Sequence, residues 1–175
     1  MIEIVLHSIE GGFSQTGSCV LQLATADGQS CIPVVIGPHE ANSLLVAKNG
    51  VASQRPKTHQ LLKAVMDTFG LAVESVSIDR VEEGIFFATL HVSDGFNSKA
   101  IDSRATDAVT LALLAGAPMY ASEQVVEECG VPLPTPAMQQ EASIESLKEE
   151  LHRCEANEEY ERAAEIQALL EQMER

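Results

Sequence analysis

The chain has 175 residues and carries 11 Lys and Arg against 26 Asp and Glu, so its net charge at pH 7 is −15. This balance argues against any partner held mainly by phosphate neutralisation, which requires clustered Lys and Arg. An acidic protein can still bind nucleic acid locally, through a small basic site or a bridging divalent cation. The length fits one full domain and an appendage, and a hydrophobic content of 45% is enough for a core.

The composition also restricts where the protein works. No stretch approaches the ~18–20 uninterrupted apolar residues that a membrane-spanning helix needs. The first residues, Met1 to His7, lack a basic leader and a cleavage site, so we expect a soluble cytoplasmic protein without a signal peptide. The cysteines show no CxxC spacing, which favours buried free thiols over disulfides or zinc ligands: Cys19, Cys31, Cys129 and Cys154.

The first part of the chain has the pattern of a β-meander. Its strand-like runs are residues 2–6, 18–25 and 30–36. Asp27-Gly28 joins the second and third runs in a hairpin, because the turn needs φ > 0 and glycine supplies it cheaply. Pro33 indicates an edge strand or a strand end, since it has no N–H to donate.

Two helices follow the meander. Gly37-Pro38 opens the first helix, because proline is tolerated where the N–H has no helical partner, and Asn49-Gly50 ends it. The second helix begins near Thr58, which we expect to cap it. Its apolar residues recur on one helical face: Leu61, Leu62, Val65, Met66 and Phe69.

The second half again begins with hairpin-connected strands. Strand-like runs cover residues 73–81, 85–92 and 98–102, with turns at Glu83-Gly84 and Asp94-Gly95. A helix from Thr106 to Ala115 is uncharged after Asp107, so we expect it to be the most buried helix. A short strand at 119–121 and a helix over 123–129, capped by Ser122, follow. The hairpin turns predict a mainly antiparallel sheet with packed helices, in the α+β class.

The chain divides into three predicted segments: an α+β domain over 1–131, a Pro-containing linker over 132–143 and a helical hairpin over 144–175. Alternating prolines at 132, 134 and 136 favour an extended, semi-rigid spacer. The two tail helices are too short to be stable alone, so they must pack on each other or on a partner. Acidic residues are denser in this tail than in the domain.

The first candidate functional cluster is Ile36–Ala41, where a strand enters a helix. The exposed amides and the dipole of a helix N-terminus can hold an anion. An ordinary strand-to-helix junction, with Glu40 complementing the dipole, explains the same residues, and we favour it on this spacing alone.

The second cluster is Arg55-Pro56-Lys57-Thr58-His59, which opposes the charge of the chain. Arg55 can bind a phosphate in a bidentate way, and His59 can act as an acid, a base or a metal ligand. A capped helix with a solvated basic turn explains the cluster equally well.

The third cluster covers residues 101–108, where Asp102 and Asp107 bracket Arg104 at the start of an apolar helix. The two carboxylates can bind a divalent metal through oxygen ligands, while Arg104 stabilises an anion. An Arg–Asp pair that ties the loop to a buried helix is the structural alternative, and the spacing alone favours it.

Taken together, the three clusters resemble the bifunctional nuclease domain family. Their order and spacing match over roughly residues 1–135, and Ala105 is the clearest departure, because the family usually has proline after the arginine. The residues that carry the resemblance are 33–37 with Glu40-Ala41, 55–59 with Leu61-Leu62, and 102–108.

The tail resembles the UVR motif of excinuclease subunits B and C and of Clp ATPase-associated proteins. Leu147, Leu151 and residues 159–166 carry this resemblance. The motif usually continues with Arg-Asp, whereas this chain has Gln167-Ala168, so one polar contact of the motif is missing.

The first resemblance implies metal-assisted hydrolysis of RNA and DNA phosphodiesters by the large domain. In this hypothesis the catalytic residues are Glu40, His59, Asp102 and Asp107. Mg²⁺ or Mn²⁺ is held by Glu40, Asp102 and Asp107, and the phosphate is bound by Arg55, Lys57 and Arg104. The competing hypothesis is a non-catalytic interaction or regulatory module, in which these residues hold loops and an interface while the tail docks a partner.

We therefore expect nucleic acid as substrate, a protein partner through residues 144–175, and a second copy of the chain. Few charges lie between Asp107 and Glu123, and Phe86-Phe87 are adjacent on opposite strand faces, which favours a homodimer. A single solvent-open cleft shared by the four catalytic candidates would favour the enzyme over the interaction module.

Overall fold

Eight strands and four helices make up the part of the chain that the structure, a computed structural model, describes: residues 1–11, 18–51, 54–133 and 167. The strands are β1 (Ile2–Gly11), β2 (Cys19–Thr25), β3 (Ser30–Ile36), β4 (Ala72–Glu82), β5 (Ile85–Ser93), β6 (Ser98–Arg104), β7 (Met119–Ala121) and β8 (Val131–Pro132). The helices are α1 (Pro38–Lys48), α2 (Thr58–Thr68), α3 (Ala105–Ala115) and α4 (Glu123–Cys129).

The strands form a single sheet in the order β6-β5-β4-β7-β1-β2-β3-β8. Neighbouring strands are antiparallel in every pair of the described sheet except β4 and β7, which run parallel. β7 lies between two meanders, β1–β2–β3 and β4–β5–β6, and joins them. The prediction of an α+β fold with a mainly antiparallel sheet is therefore confirmed.

Three predicted hairpin turns have the backbone conformation that their glycines allow. Gly28, Gly84 and Gly95 have φ angles of 70°, 78° and 86°. Residues with a Cβ are strained in this region, so glycine at these positions favours the observed connections. The turns join β2 to β3, β4 to β5 and β5 to β6, as the sequence predicts.

The helices begin within one residue of their predicted starts, but the cap of α2 differs from the prediction. Lys57, not Thr58, is the N-cap of α2, and its backbone N–H donates to the Gln60 side chain at 2.9 Å. The prediction that Thr58 caps the helix is wrong, because Thr58 already has helical geometry. Ser122 caps α4 as predicted, since its hydroxyl accepts a hydrogen bond from the Val125 N–H at 3.1 Å.

The core lies between the sheet and α3, which is the most buried helix, as predicted. Seven of its 11 residues are buried, compared with three in α1 and one in α2. Of the cysteines, Cys19 and Cys31 are buried and Cys129 is half-buried. Apolar burial of this extent is the dominant stabilising contribution to a domain of this size.

The apolar face of α2 is largely exposed. Met66 is its one buried residue, because α2 packs mainly on α3 and not on the sheet. Its other large apolar side chains keep between 44% and 75% of their surface exposed: Leu61, Leu62, Val65 and Phe69.

The described fold continues to residue 133. Pro132 pairs with Ser30 of β3, and the Leu133 N–H donates to the Gln29 carbonyl at 3.2 Å. The sheet thus includes the first residue of the predicted linker. The rest of the linker, Cys154 and the predicted hairpin lie outside the described residues, apart from Gln167. Within the described residues, no helix is both long and apolar enough to cross a membrane.

Leu44 and Leu45 of α1 provide a matched test of this packing. Leu44 is fully buried, whereas its neighbour Leu45 is 43% exposed. We expect Leu44→Ala to lower the free energy of unfolding by about 2–5 kcal/mol, because it leaves a cavity in the core. Leu45→Ala should cost much less. Urea unfolding of both variants checks the prediction, and equal losses would contradict this placement of α1.

Candidate active site

Three helices begin at one cavity of about 750 Å³. Glu40 in the first turn of α1, His59 in the first turn of α2 and Asp107 in the first turn of α3 all line it. Helix N-termini carry partial positive charge and N–H groups without helical partners. The convergence of three such ends favours negative charge in the cavity, part of which the carboxylates of Glu40 and Asp107 supply.

Arg104 connects two of these helix ends. It is the last residue of β6 and the N-cap of α3. Its Nε donates to Asp107 Oδ2 at 2.8 Å and its Nη2 to Oδ1 at 3.2 Å, which forms a two-bond fork. Its Nη1 donates to Glu40 Oε1 at 3.3 Å. The guanidinium therefore bridges α1 and α3, while 68% of its side-chain surface remains exposed.

His59 joins the cluster through the same carboxylate. Its Nε2 lies 2.9 Å from Asp107 Oδ1, and the imidazole is mostly buried, with 19% of its surface exposed. An ionised carboxylate can only accept hydrogen bonds, so Nε2 carries the hydrogen and donates it. Nδ1 is then an acceptor, and no other described residue binds it.

The interactions within the cluster favour the charged forms of Asp107 and Arg104. Burial acts to raise the pKa of Asp107, but hydrogen bonds from Arg104 and His59 outweigh burial and hold this pKa below its ordinary value. The hydrogen bonds and negative charge of Asp107 in turn raise the pKa of Arg104. Asp107 is therefore a carboxylate and Arg104 a cation throughout the physiological pH range.

Gly37 makes room for Glu40. A Cβ built on Gly37 would lie 2.6 Å from Glu40 Oε2, which is closer than real Cβ contacts come. The absence of a side chain at Gly37 thus lets the Glu40 carboxylate fold back beside the start of α1. From there its other oxygen reaches Arg104.

Asp102 lines the cavity but does not join the cluster. In the β5–β6 ladder Asp102 is opposite Thr89, while Leu90 is opposite Ile101. Leu90 and Ile101 lie on the cavity side of the sheet, so strand alternation places the Asp102 side chain on the other face. Its carboxylate forms no hydrogen bond or ion pair within the described ranges.

Arg55 and Lys57 also lie apart from the cluster. Both are exposed in the segment before α2, and neither lines the large cavity. Lys57 borders a much smaller cavity on the other side of His59. Of the seven predicted site residues, the structure thus brings four together: Glu40, His59, Arg104 and Asp107.

Hydroxyl groups in the cavity wall were not among the predicted site residues. Ser43 follows Glu40 by three positions and Thr110 follows Asp107 by three, so each lies one turn along the same helical face. The Ser43 hydroxyl donates to the His39 carbonyl at 3.0 Å, and that of Thr110 to the Thr106 carbonyl at 2.7 Å. This helical spacing is the signal by which the sequence could have revealed them.

The donor groups do not fit a divalent cation in this arrangement. Among the described residues, no group of three or more His, Cys, Asp or Glu side chains is placed to hold a metal ion. Glu40 and Asp107 both bind Arg104, so the guanidinium occupies the position between the two carboxylates. Metal ligands need several oxygen donors facing one point.

The lowered pKa of Asp107 predicts a pH dependence of stability. A carboxyl whose pKa is lower in the folded state adds stability above its unfolded pKa, near 3.9, and this is lost as pH falls through the folded value. We expect Asp107→Asn to be less stable than the wild type at pH 7, with the difference shrinking below about pH 4. Asp102→Asn is the control. Urea unfolding between pH 2.5 and 7 measures both, and a difference that is constant with pH would contradict the prediction.

Comparison with known proteins identifies the family of this chain. The family model described as the bifunctional nuclease domain matches residues 20–134. Two uncharacterized proteins of Mycobacterium tuberculosis, from strains CDC 1551 and H37Rv, are each 32% identical to the chain over 115 residues. These matches cover 66% of this chain and 68% of each relative. The chain therefore belongs to the bifunctional nuclease domain family.

Proposed function

We propose that this domain hydrolyses phosphodiester bonds of RNA and DNA in the cavity at the start of α1, α2 and α3. One observation carries the proposal: a continuous chain of hydrogen bonds runs from His59 through Asp107 and Arg104 to Glu40. Membership of the family supports a nuclease-related function and binding of nucleic acid. The cluster supplies a proton-transfer group and an anion-binding group within one open cavity.

Arg104 binds the phosphate in this proposal. A guanidinium has five N–H donors, and three of them bind Asp107 and Glu40. The remaining two can donate to a phosphate oxygen, since the side chain is open to solvent. Donors that are already in place stabilise the negative charge that develops in the transition state, and the three helix ends add to this effect.

His59 transfers the proton. Asp107 fixes the orientation of the imidazole and stabilises the imidazolium that forms when Nδ1 accepts a proton from the attacking oxygen. The same nitrogen can then protonate the leaving oxygen. Glu40 holds the far side of Arg104, so its role is to position the guanidinium.

Two substitutions test these roles. We expect His59→Ala and Asp107→Ala each to lower nuclease activity by about 10²-fold or more, which is the contribution typical of a general acid–base group. His91→Ala is the matched control, because His91 lies in β5 outside the cavity. Cleavage of labelled RNA and DNA by rigorously purified variants, with folding checked by circular dichroism, gives the result. Unchanged activity in both variants would favour the non-catalytic interaction module.

Dependence on Mg²⁺ or Mn²⁺ stays a prediction from the sequence resemblance. A metal bound by Glu40 and Asp107 would require Arg104 to leave its present position, so no catalytic step is assigned to it. The resemblance predicts that EDTA abolishes cleavage and that Mg²⁺ or Mn²⁺ restores it. Full activity in EDTA, with protein stripped of metal beforehand, would contradict this requirement.

We also propose that residues 144–175 form a UVR-like hairpin that docks a protein partner, and that the domain forms a homodimer. The apolar positions of the tail recur at helical spacing in a strongly acidic sequence, which suits a partner with basic flanks. Phe86 and Phe87, predicted to lie near the dimer interface, are half-buried, and the Arg80 guanidinium lies 3.9 Å from the Phe87 ring centre. Sedimentation at micromolar concentration tests the dimer.

Truncation tests the separate role of the tail. The family match ends at residue 134, so we expect deletion of residues 137–175 to leave the domain folded and its nuclease activity intact. Capture of a protein partner should be lost. Thermal unfolding and the cleavage assay on the truncated chain measure the first two properties. An unfolded truncated chain would show that the tail belongs to the core.

A further inference from the structure

The surface between α2 and β6 is open to solvent and reaches the candidate active site at one end. At one end, His59 of α2 and Arg104 of β6 both bind Asp107. At the other end, α2 leads into β4 at Ala72. Ala72 pairs with Ser93 of β5, and Ser93 pairs with Ser98, the first residue of β6. α2 and β6 therefore border the same strip of surface over about 16–23 Å, the lengths of an 11-residue helix and a seven-residue strand.

Both elements that border this strip have exposed side chains. No strand in the described part of the chain pairs with the outer edge of β6, and six of its seven residues are exposed. Leu62 of α2 and Ile101 of β6 both line the large cavity, so this strip of surface meets the cavity. We define the α2–β6 channel by these residues: Leu61, Leu62, Val65, Phe69, Phe96, Lys99 and Ile101.

Lys99 is the cation of the channel itself. Of the other Lys and Arg in residues 54–69 and 98–104, Arg104 binds Asp107 and Glu40, Lys63 binds Asp67, and Arg55 and Lys57 lie apart from the cavity. Lys99 is opposite the buried Val92 in the β5–β6 ladder, so it faces the helix side of the sheet, next to the cavity. Within the described ranges, no carboxylate forms an ion pair with Lys99.

Two aromatic rings stand at the far end of the channel. Phe69 follows α2 and is 75% exposed, and Phe96, in the turn between β5 and β6, is 95% exposed. Hydrogen bonds connect the backbone of the Phe96 turn to Asp94, whose Oδ1 accepts from the N–H groups of Phe96 at 2.9 Å and Asn97 at 2.7 Å. The Phe96 ring itself is almost fully exposed, so apolar packing does not explain its position.

We propose that the α2–β6 channel binds a single strand of nucleic acid and leads it to the cluster of His59, Arg104 and Asp107. Unpaired bases stack on Phe69 and Phe96, while Lys99 and Arg104 bind the backbone phosphates. The inference rests on the proposed nuclease function and adds the strand preference of the substrate.

Charge and exposed rings together select this occupant. Single-strand sites combine a positively charged groove with aromatic side chains on which bases stack. A duplex stacks its bases inside the double helix. Its phosphates could therefore bind Lys99, but its bases could not stack on the exposed rings of Phe69 and Phe96. A second copy of this chain could cover the apolar residues and bind Lys99 through a carboxylate, so the oligomeric state of the variants is part of the test.

Binding of a short oligonucleotide tests the channel. The probe is a fluorescein-labelled 12-nucleotide DNA strand with phosphorothioate linkages, which resist cleavage, alone and annealed to its complement. Fluorescence anisotropy with the full chain should show at least tenfold tighter binding of the single strand. Phe69→Ala and Phe96→Ala should each weaken single-strand binding about fivefold or more, the lower end of a lost stacking contact.

Two further variants sharpen the test. Lys99→Ala should reduce the slope of log K against log salt concentration by about 0.7, the value for one phosphate contact on a single strand. Val35→Ala is the matched control, since Val35 is 73% exposed on β3, far from the channel, and should bind like the wild type.

Three results would overturn the inference: equal affinity for single strand and duplex, unchanged single-strand binding in both phenylalanine variants, or a wild-type dimer that Phe69→Ala and Phe96→Ala convert to monomers. The last would identify the channel as a subunit interface. If the proposed catalysis is wrong and the binding inference is right, the results differ from these three. Asp107→Ala then cleaves like the wild type, while Phe69→Ala and Phe96→Ala still lose single-strand binding.

Discussion

The fork of hydrogen bonds between Arg104 and Asp107 is the interaction on which the site depends. Three helix N-termini, each carrying roughly half a positive charge, point towards one cavity and would repel one another and the guanidinium. Asp107 and Glu40 supply the negative charge that offsets this repulsion. Because Arg104 is largely exposed, the ion pair adds at most about 1 kcal/mol to stability. Its importance is geometric, since one carboxylate orients both Arg104 and His59.

Much of the fold could be predicted because local chemistry marks its boundaries. Asp-Gly and Glu-Gly pairs mark the hairpins, and Gly37-Pro38 and Ser122 mark two helix starts. The exposure of α2 could not be predicted in the same way. Helical spacing shows that apolar residues share a face, but it does not show whether another element covers that face.

The site was predictable to the extent that its contacts are local. Arg104 and Asp107 are three residues apart at a strand-to-helix junction, so the sequence alone suggests their pairing. His59 is 48 positions from Asp107, and only the packing of α2 on α3 brings them together. Asp102 is near Arg104 in sequence and lines the same cavity, yet strand alternation places its side chain on the other face of the sheet. The face of the sheet on which the Asp102 side chain lies depends on the register between β5 and β6, and the sequence of one strand does not show this register.

The position of β7 has a consequence for how the protein is made. This three-residue strand, Met119–Ala121, lies between β1 and β4 and is the element that hydrogen-bonds to both. During synthesis the two meanders can each form as the ribosome releases them, but they remain separate sheets until residue 121 has emerged. By then the chain already includes the first turns of α1, α2 and α3. The nascent chain must therefore hold two open strand edges, on β1 and β4, that are exposed to mispairing until β7, close to the end of the domain, arrives.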